Sequence, residues 1–138
     1  MLALGYLAKS LLPGGPAPDA PPAATSVGAG PASVAAAFRA RQSDVFLETG
    51  GRVERLLADD REGTPHQRFI ARVPGDMTVL ISHNLDLAPR VPVAVGDSVT
   101  VRGEYVWNDL GGVIHWTHHD PTGRRPGGWI RLDGRTYR

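Results

Sequence analysis

No cysteine occurs in the 138 residues, so the chain has no disulfide, no thiolate nucleophile and no thiolate metal ligand. That absence is compatible with any redox compartment. Charge of one sign does not dominate either: 15 basic against 14 acidic residues leave +1, without the strongly basic footprint that drives nonspecific nucleic-acid binding by counterion release. Long apolar runs are missing. The opening stretch MLALGYLAKSLL (Met1–Leu12) is mostly apolar but shorter than the ~20 residues needed to span a bilayer, and Lys9 interrupts it. From Val45 onward there is no internal repeat and no periodic segment long enough for a core helix, and the length leaves no room for a second core.

What remains is one domain and a tail. Residues 1–12 read as a degenerate leader or anchor remnant, which implies the cell envelope or periplasm if a fuller leader precedes it and the cytoplasm otherwise. Half of residues 13–32 are Pro or Gly and most of the rest Ala, a composition that buries too little apolar surface to offset its ordering entropy, so this segment is a tether. Ser33 is positioned to cap a short helix within 33–44. Residues 45–138 then alternate short apolar runs with Gly, Pro, Asp and Asn. Strands are expected at Val45–Leu57, His66–Val73, Met77–Asn84, Ser98–Trp107 and Val113–His119, with a sixth at Trp129–Leu132. Gly50-Gly51 marks a bulge or sharp bend in the first. This pattern predicts an all-β fold, a small five- to six-stranded OB-like Greek-key barrel, with a β-sandwich as the competing architecture.

Strand alternation sorts the side chains. Val99, Val101, Gly103, Tyr105 and Trp107 form an apolar row, which turns Arg102 and Glu104 outward. Ile114 and Trp116 continue the core row, leaving His115, Thr117 and His119 outside. Closing the hairpins pairs Phe69 with Ile81 and Ala71 with Val79 inside, Arg68 with Ser82 and His66 with Asn84 outside, and Glu104 with His115 or Thr117.

The stretch GGVIHWTHHDP (Gly111–Pro121) holds three of the five histidines, and a buried imidazole must partner each ring nitrogen or lose ~1–3 kcal/mol. Glu104 and His115 form a candidate acid–base pair, with Arg68 or Arg102 stabilising developing charge; the plain alternative is a surface ion pair. Candidate ligand-binding residues are His66, Arg68, His83, Asn84, Arg90, Arg102, Thr117, His119 and Trp129. No cofactor is predicted. A divalent metal on His118, His119 and Asp120 is the alternative, and it needs a bend at His118, because consecutive strand residues face opposite sides. Trp116 reads as core, Trp107 as a cap on the barrel end, and Trp129 as the most exposed indole.

The segments HQRF (66–69), SHNLDLAPR (82–90), GEYVWN (103–108), GGVIHWTHHDP (111–121) and GGW (127–129) together resemble a bacterial family known as domain of unknown function 3465. The resemblance covers roughly Ala37 to Tyr137. It implies a small domain behind an N-terminal hydrophobic leader, which is abbreviated here, and it transfers no catalytic assignment. The leading expectation is a tethered OB-like domain presenting a His/Arg/Asn/Glu surface to a polar or anionic ligand, whether oligonucleotide, nucleotide or oligosaccharide. Nucleic acid is not favoured by the total charge, and the oligomeric state is left open. The alternatives are a metal-assisted or Arg/Glu-type phosphodiester hydrolase, and a structural or protein-interaction module.

Overall fold

Ser33 stands in extended conformation, and its hydroxyl accepts the Ala36 N–H at 3.0 Å, starting the helix α1 (Val34–Arg39) as its sequence predicts. The computed structural model describes residues 33–138; the expectations for 1–12 and 13–32 lie outside the described residues. The helix is shorter than the segment 33–44, because Arg41 and Asp44 adopt positive φ and turn the chain into the sheet. Val34 and Ala37 are the residues it buries.

Seven strands follow: β1 (Val45–Asp60), β2 (His66–Val73), β3 (Met77–Asn84), β4 (Ser98–Val106), β5 (Val113–His115), β6 (Trp129–Leu132) and β7 (Arg135–Tyr137). β1 pairs with β4 through its first half and with β2 through its second, β2 pairs with β3, β3 runs parallel to β5, and β5 pairs with β4. These pairings join five strands into a ring, with β6 and β7 attached beyond β4. The all-β expectation is met by a five-strand ring-like sheet. At Arg52, β1 passes from one partner to the other, opposite both Ser98 and Arg72. The predicted irregularity at Gly50-Gly51 takes a different form. A Cβ at Gly51 would lie 3.1 Å from the Arg72 carbonyl, so the glycine permits a close strand crossing, and the register shifts come later, after Val53 and after Leu57.

Hydrophobic alternation sets which side faces in. Phe69 opposes Ile81 and Ala71 opposes Val79, all buried, and Val99, Val101 and Tyr105 join them with Leu47, Ile114 and Ile130. Each such large side chain contributes about 1.5–3 kcal/mol on burial. The Tyr105 hydroxyl donates to the Gly111 carbonyl at 2.9 Å, so its burial leaves no orphan donor. Trp107 caps one end by stacking on Phe38 at 6.2 Å between centroids and donating its indole N–H to the Phe38 carbonyl at 3.1 Å.

The fifth strand corrects the sequence reading. It ends at His115 rather than His119, because Trp116 takes a left-handed φ of 58°. A bulky residue there is a genuine outlier costing on the order of 1–3 kcal/mol. The turn breaks the alternation: Trp116, expected in the core, is only partly buried, and Thr117, expected outside, is fully buried beside the buried His118. A seventh strand went unanticipated. It closes a hairpin with β6 through Asp133 and Gly134, both at positive φ, the two-residue turn whose twist suits paired strands.

Candidate functional site

The pairing of β3 with β5 decides how the polar residues meet. Ile81 lies beside Ile114 and both are fully buried, so the next residues, Ser82 and His115, both turn outward on neighbouring strands. Arg68 stands opposite Ser82 on one side, and Glu104 opposite His115 on the other. Two hairpins that sequence reasoning treats separately thus share one outer row: Arg68, Ser82, His115, Glu104.

Within that row Glu104 is the best-held charge. Its side chain is only 15% exposed, with Oε1 at 3.3 Å from His115 Nε2 and Oε2 accepting from Arg125 at 3.3 Å. The imidazole is near enough for ion-pair attraction when protonated, yet the approach is not aligned as a hydrogen bond. Among the described residues, His115 Nε2 is the buried side-chain nitrogen left without a hydrogen-bond partner. A buried polar group without a partner costs ~1–3 kcal/mol.

The sequence offers Arg125 only as half of an Arg124-Arg125 turn able to clamp an anion, with a solvated turn as the plain reading. Arg125 comes from the segment 116–128, which folds back over β4 and β5. Asp120 organises this segment by accepting from the Thr122 hydroxyl at 2.8 Å and from the Arg124 and Arg125 amides at 2.9 and 2.7 Å. Those bonds, the Arg125 amide foremost, hold the Asp120 carboxyl down to about 2. The Arg125 guanidinium lies 4.2 Å over the Trp116 ring, whose indole N–H donates to the Pro126 carbonyl at 3.2 Å. Gly128 closes the segment with its N–H on the His118 carbonyl at 2.8 Å, and any Cβ there would collide with the Trp116 and Arg102 carbonyls. The strained Trp116 backbone is therefore fixed from several sides.

Beneath the row lies a buried polar layer that takes in two of the candidate ligand-binding residues, His83 and Thr117. His83 is fully buried: Nε2 donates to the Pro89 carbonyl at 2.9 Å, which leaves Nδ1 to accept from the Thr117 hydroxyl at 2.7 Å. Desolvation lowers its pKa, so the neutral tautomer is the stable one. His83 and Thr117 are accordingly bolts between loops and not ligand contacts. Alternation could have placed His83, which follows Val79 and Ile81 in the inward row. Gln67, in the row of Phe69 and Ala71, exchanges two hydrogen bonds with the Val91 backbone at 2.7 and 2.9 Å.

The remaining candidates separate. His118 is buried, bonds the His119 carbonyl at 2.7 Å through Nδ1 and lies 4.6 Å from the Trp116 ring; burial lowers its pKa too. His119 is exposed, and Asp120 spends its oxygens on its own turn. Among the described residues, no group of three or more His, Asp or Glu side chains is arranged to hold a metal ion. His66 bonds the Thr64 carbonyl at 2.8 Å, and Asn84 caps a turn by accepting from the Asp86 and Leu87 amides at 2.8 and 3.1 Å. Arg90 pairs with Asp59, which lowers that carboxyl's pKa, and Arg68 donates to the Ala58 carbonyl at 3.0 Å. Arg102 donates to the Gly127 carbonyl at 3.3 Å and stands opposite Trp129, a half-buried indole covered by Arg131 at 3.9 Å.

Fold and site together define a small all-β domain with a continuous polar outer row. The family model described as "Protein of unknown function (DUF3465)" matches residues 22–138, and the chain belongs to that family. The match starts upstream of the Ala37 boundary expected from the motifs. No curated protein and no solved structure matches the chain. Among the described residues, no helix is long and apolar enough to cross a membrane.

Proposed function

We propose that the chain is an OB-like binding domain that takes a polar or anionic ligand on the outer row of β2, β3, β5 and β4. The observation that carries this reading is the juxtaposition of Arg68, Ser82, His115 and Glu104 on adjacent strands, where the unmet His115 Nε2 sits beside a carboxylate. The ring order supports the OB-like description, with β3 parallel to β5 and β1 pairing both β2 and β4. Arg125 extends the row with a guanidinium already oriented by Trp116 and Glu104, so little entropy is lost when it engages a phosphate, carboxylate or hydroxyl pair. Thermal-shift screening against nucleotides, oligonucleotides and oligosaccharides, followed by NMR of the His115 imidazole, tests it. At least one class is expected to raise the melting temperature and move the His115 signals, and His115→Ala is expected to weaken that response at least several-fold. Silence of every class removes the reading.

A hydrolytic reading draws on one contact, the Glu104–His115 pair at 3.3 Å, in which His115 would move a proton and Glu104 would orient the ring. Turnover of a phosphodiester that disappears in both Glu104→Gln and His115→Ala would favour it over simple binding.

A further inference from the structure

The near-neutral total charge conceals a segregation. Between residues 121 and 138 there are five arginines and one aspartate, against nine arginines and twelve acidic residues between 33 and 120. The basic stretch supplies the end of the segment that folds over β4, then β6 and β7. Its pairing places Trp129 opposite Arg102 and Arg131 opposite Thr100, on the outer face of β4.

That face alternates aromatic rings with guanidinium planes. Arg102 lies 5.6 Å over Phe46 across the β1–β4 pair, Arg131 lies 3.9 Å over Trp129, and Arg125 lies 4.2 Å over Trp116. Arg102 and Arg125 also have carboxylates in reach, Glu48 at 3.8 Å and Glu104 at 3.3 Å. Arg131 instead donates to the Thr136 hydroxyl at 3.2 Å and has no carboxylate partner among the described residues.

We infer that the outer face of β4 and β6, with the segment 116–128, is a platform for single-stranded nucleic acid, a ligand class that rests on the binding reading above. A guanidinium stacked on an indole offers its other face to an unpaired base, while its N–H edge reaches the neighbouring phosphate. Both halves of a nucleotide are thereby met by one side-chain pair. A duplex hides the base faces, and a sulfated sugar would use the charges but not the planes. The surplus of arginine in residues 121–138 supplies the field that a polyanion requires.

Fluorescence anisotropy of the full chain with a labelled oligo-dT of about 12 nucleotides tests this, beside a duplex of equal length and a sulfated oligosaccharide as competitor. The single strand is expected to bind best and to quench tryptophan emission, with a log–log salt slope of about −2, as three phosphate contacts give on a single strand. Arg131→Gln, an exposed change, is expected to weaken binding several-fold and flatten the slope by about 0.7. Trp129→Ala is expected to weaken it at least about fivefold, and Trp129→Phe to retain most of it should the alanine variant not fold. The inference is overturned if the duplex or the sulfated sugar binds as tightly, or if Arg131→Gln leaves binding unchanged. A mononucleotide that still moves the His115 signals while oligo-dT does not bind would sink this inference and leave the binding reading standing; silence of every probe removes both.

Discussion

Replacing Thr117 by valine separates the two placements of this residue. On an outer strand row the change would fall within about ±0.5 kcal/mol, as surface substitutions do. In the structure Thr117 is fully buried and its hydroxyl is the donor to His83 Nδ1 at 2.7 Å. Valine keeps the shape but leaves that nitrogen, itself shut away from water, with no donor. The cost of such an orphaned buried acceptor is ~1–3 kcal/mol. For a domain of this size each kcal/mol moves the melting temperature by roughly 4–8 °C, so a drop of at least about 4 °C is expected. Urea unfolding of the wild type, Thr117→Val, His83→Phe and the double variant measures the loss and the coupling in one cycle. His83→Phe also forfeits the bond to the Pro89 carbonyl, so its single cost should exceed that of Thr117→Val. A loss below about 0.5 kcal/mol for Thr117→Val, or no coupling between the sites, would refute the buried bolt.

Acidification should expose the same layer. Burial lowers the pKa of His83 and His118 in the folded chain, so the unfolded chain takes up protons first as pH falls below ~6.5. Stability is therefore full above that pH and declines beneath it, by at most about 1.4 kcal/mol per pH unit for each histidine, and a flat denaturation midpoint from pH 7 to 5 would contradict it. Asp120 should stay ionised down to about pH 2, followed by carboxyl NMR, and Asp120→Asn should loosen the segment 116–128 enough to raise its proteolytic cleavage. Gly128→Ala forces a Cβ against two backbone carbonyls and should cost about 1–3 kcal/mol or more in urea unfolding, whereas alanine at the open Gly63 position should cost far less despite its positive φ.

Period-two alternation was legible wherever a strand stayed regular. The pairs Phe69–Ile81, Ala71–Val79, Arg68–Ser82 and His66–Asn84 follow from a turn at Pro74-Gly75-Asp76 and nothing more. The same rule narrows the partner of Glu104 to His115 or Thr117, and the register of β4 with β5 selects His115. Alternation is a local rule, however, and two facts that build the site are not local. One is the parallel contact of β3 with β5, which no hairpin argument reaches and which alone brings the Arg68–Ser82 pair beside the Glu104–His115 pair. The other is the return of Arg125 to Glu104 across a segment that Asp120 has folded.

The failure at Trp116 has a cause that the sequence states only obliquely. Nothing in the letters HWTHH announces a left-handed tryptophan, and a residue that disfavours that conformation is placed there by contacts made later in the chain. The Gly127-Gly128 pair is the oblique sign. A backbone that must pass against the Trp116 and Arg102 carbonyls tolerates no side chain, and two adjacent glycines before an apolar strand mark where such a passage occurs. Once the chain is held there, one inverted residue moves Thr117 inside and sends the indole outside to meet Arg125. The strain, the buried Thr117 hydroxyl that meets His83 and the oriented guanidinium are then consequences of a single backbone turn, which places the cost of the outlier beside the groups most able to use it.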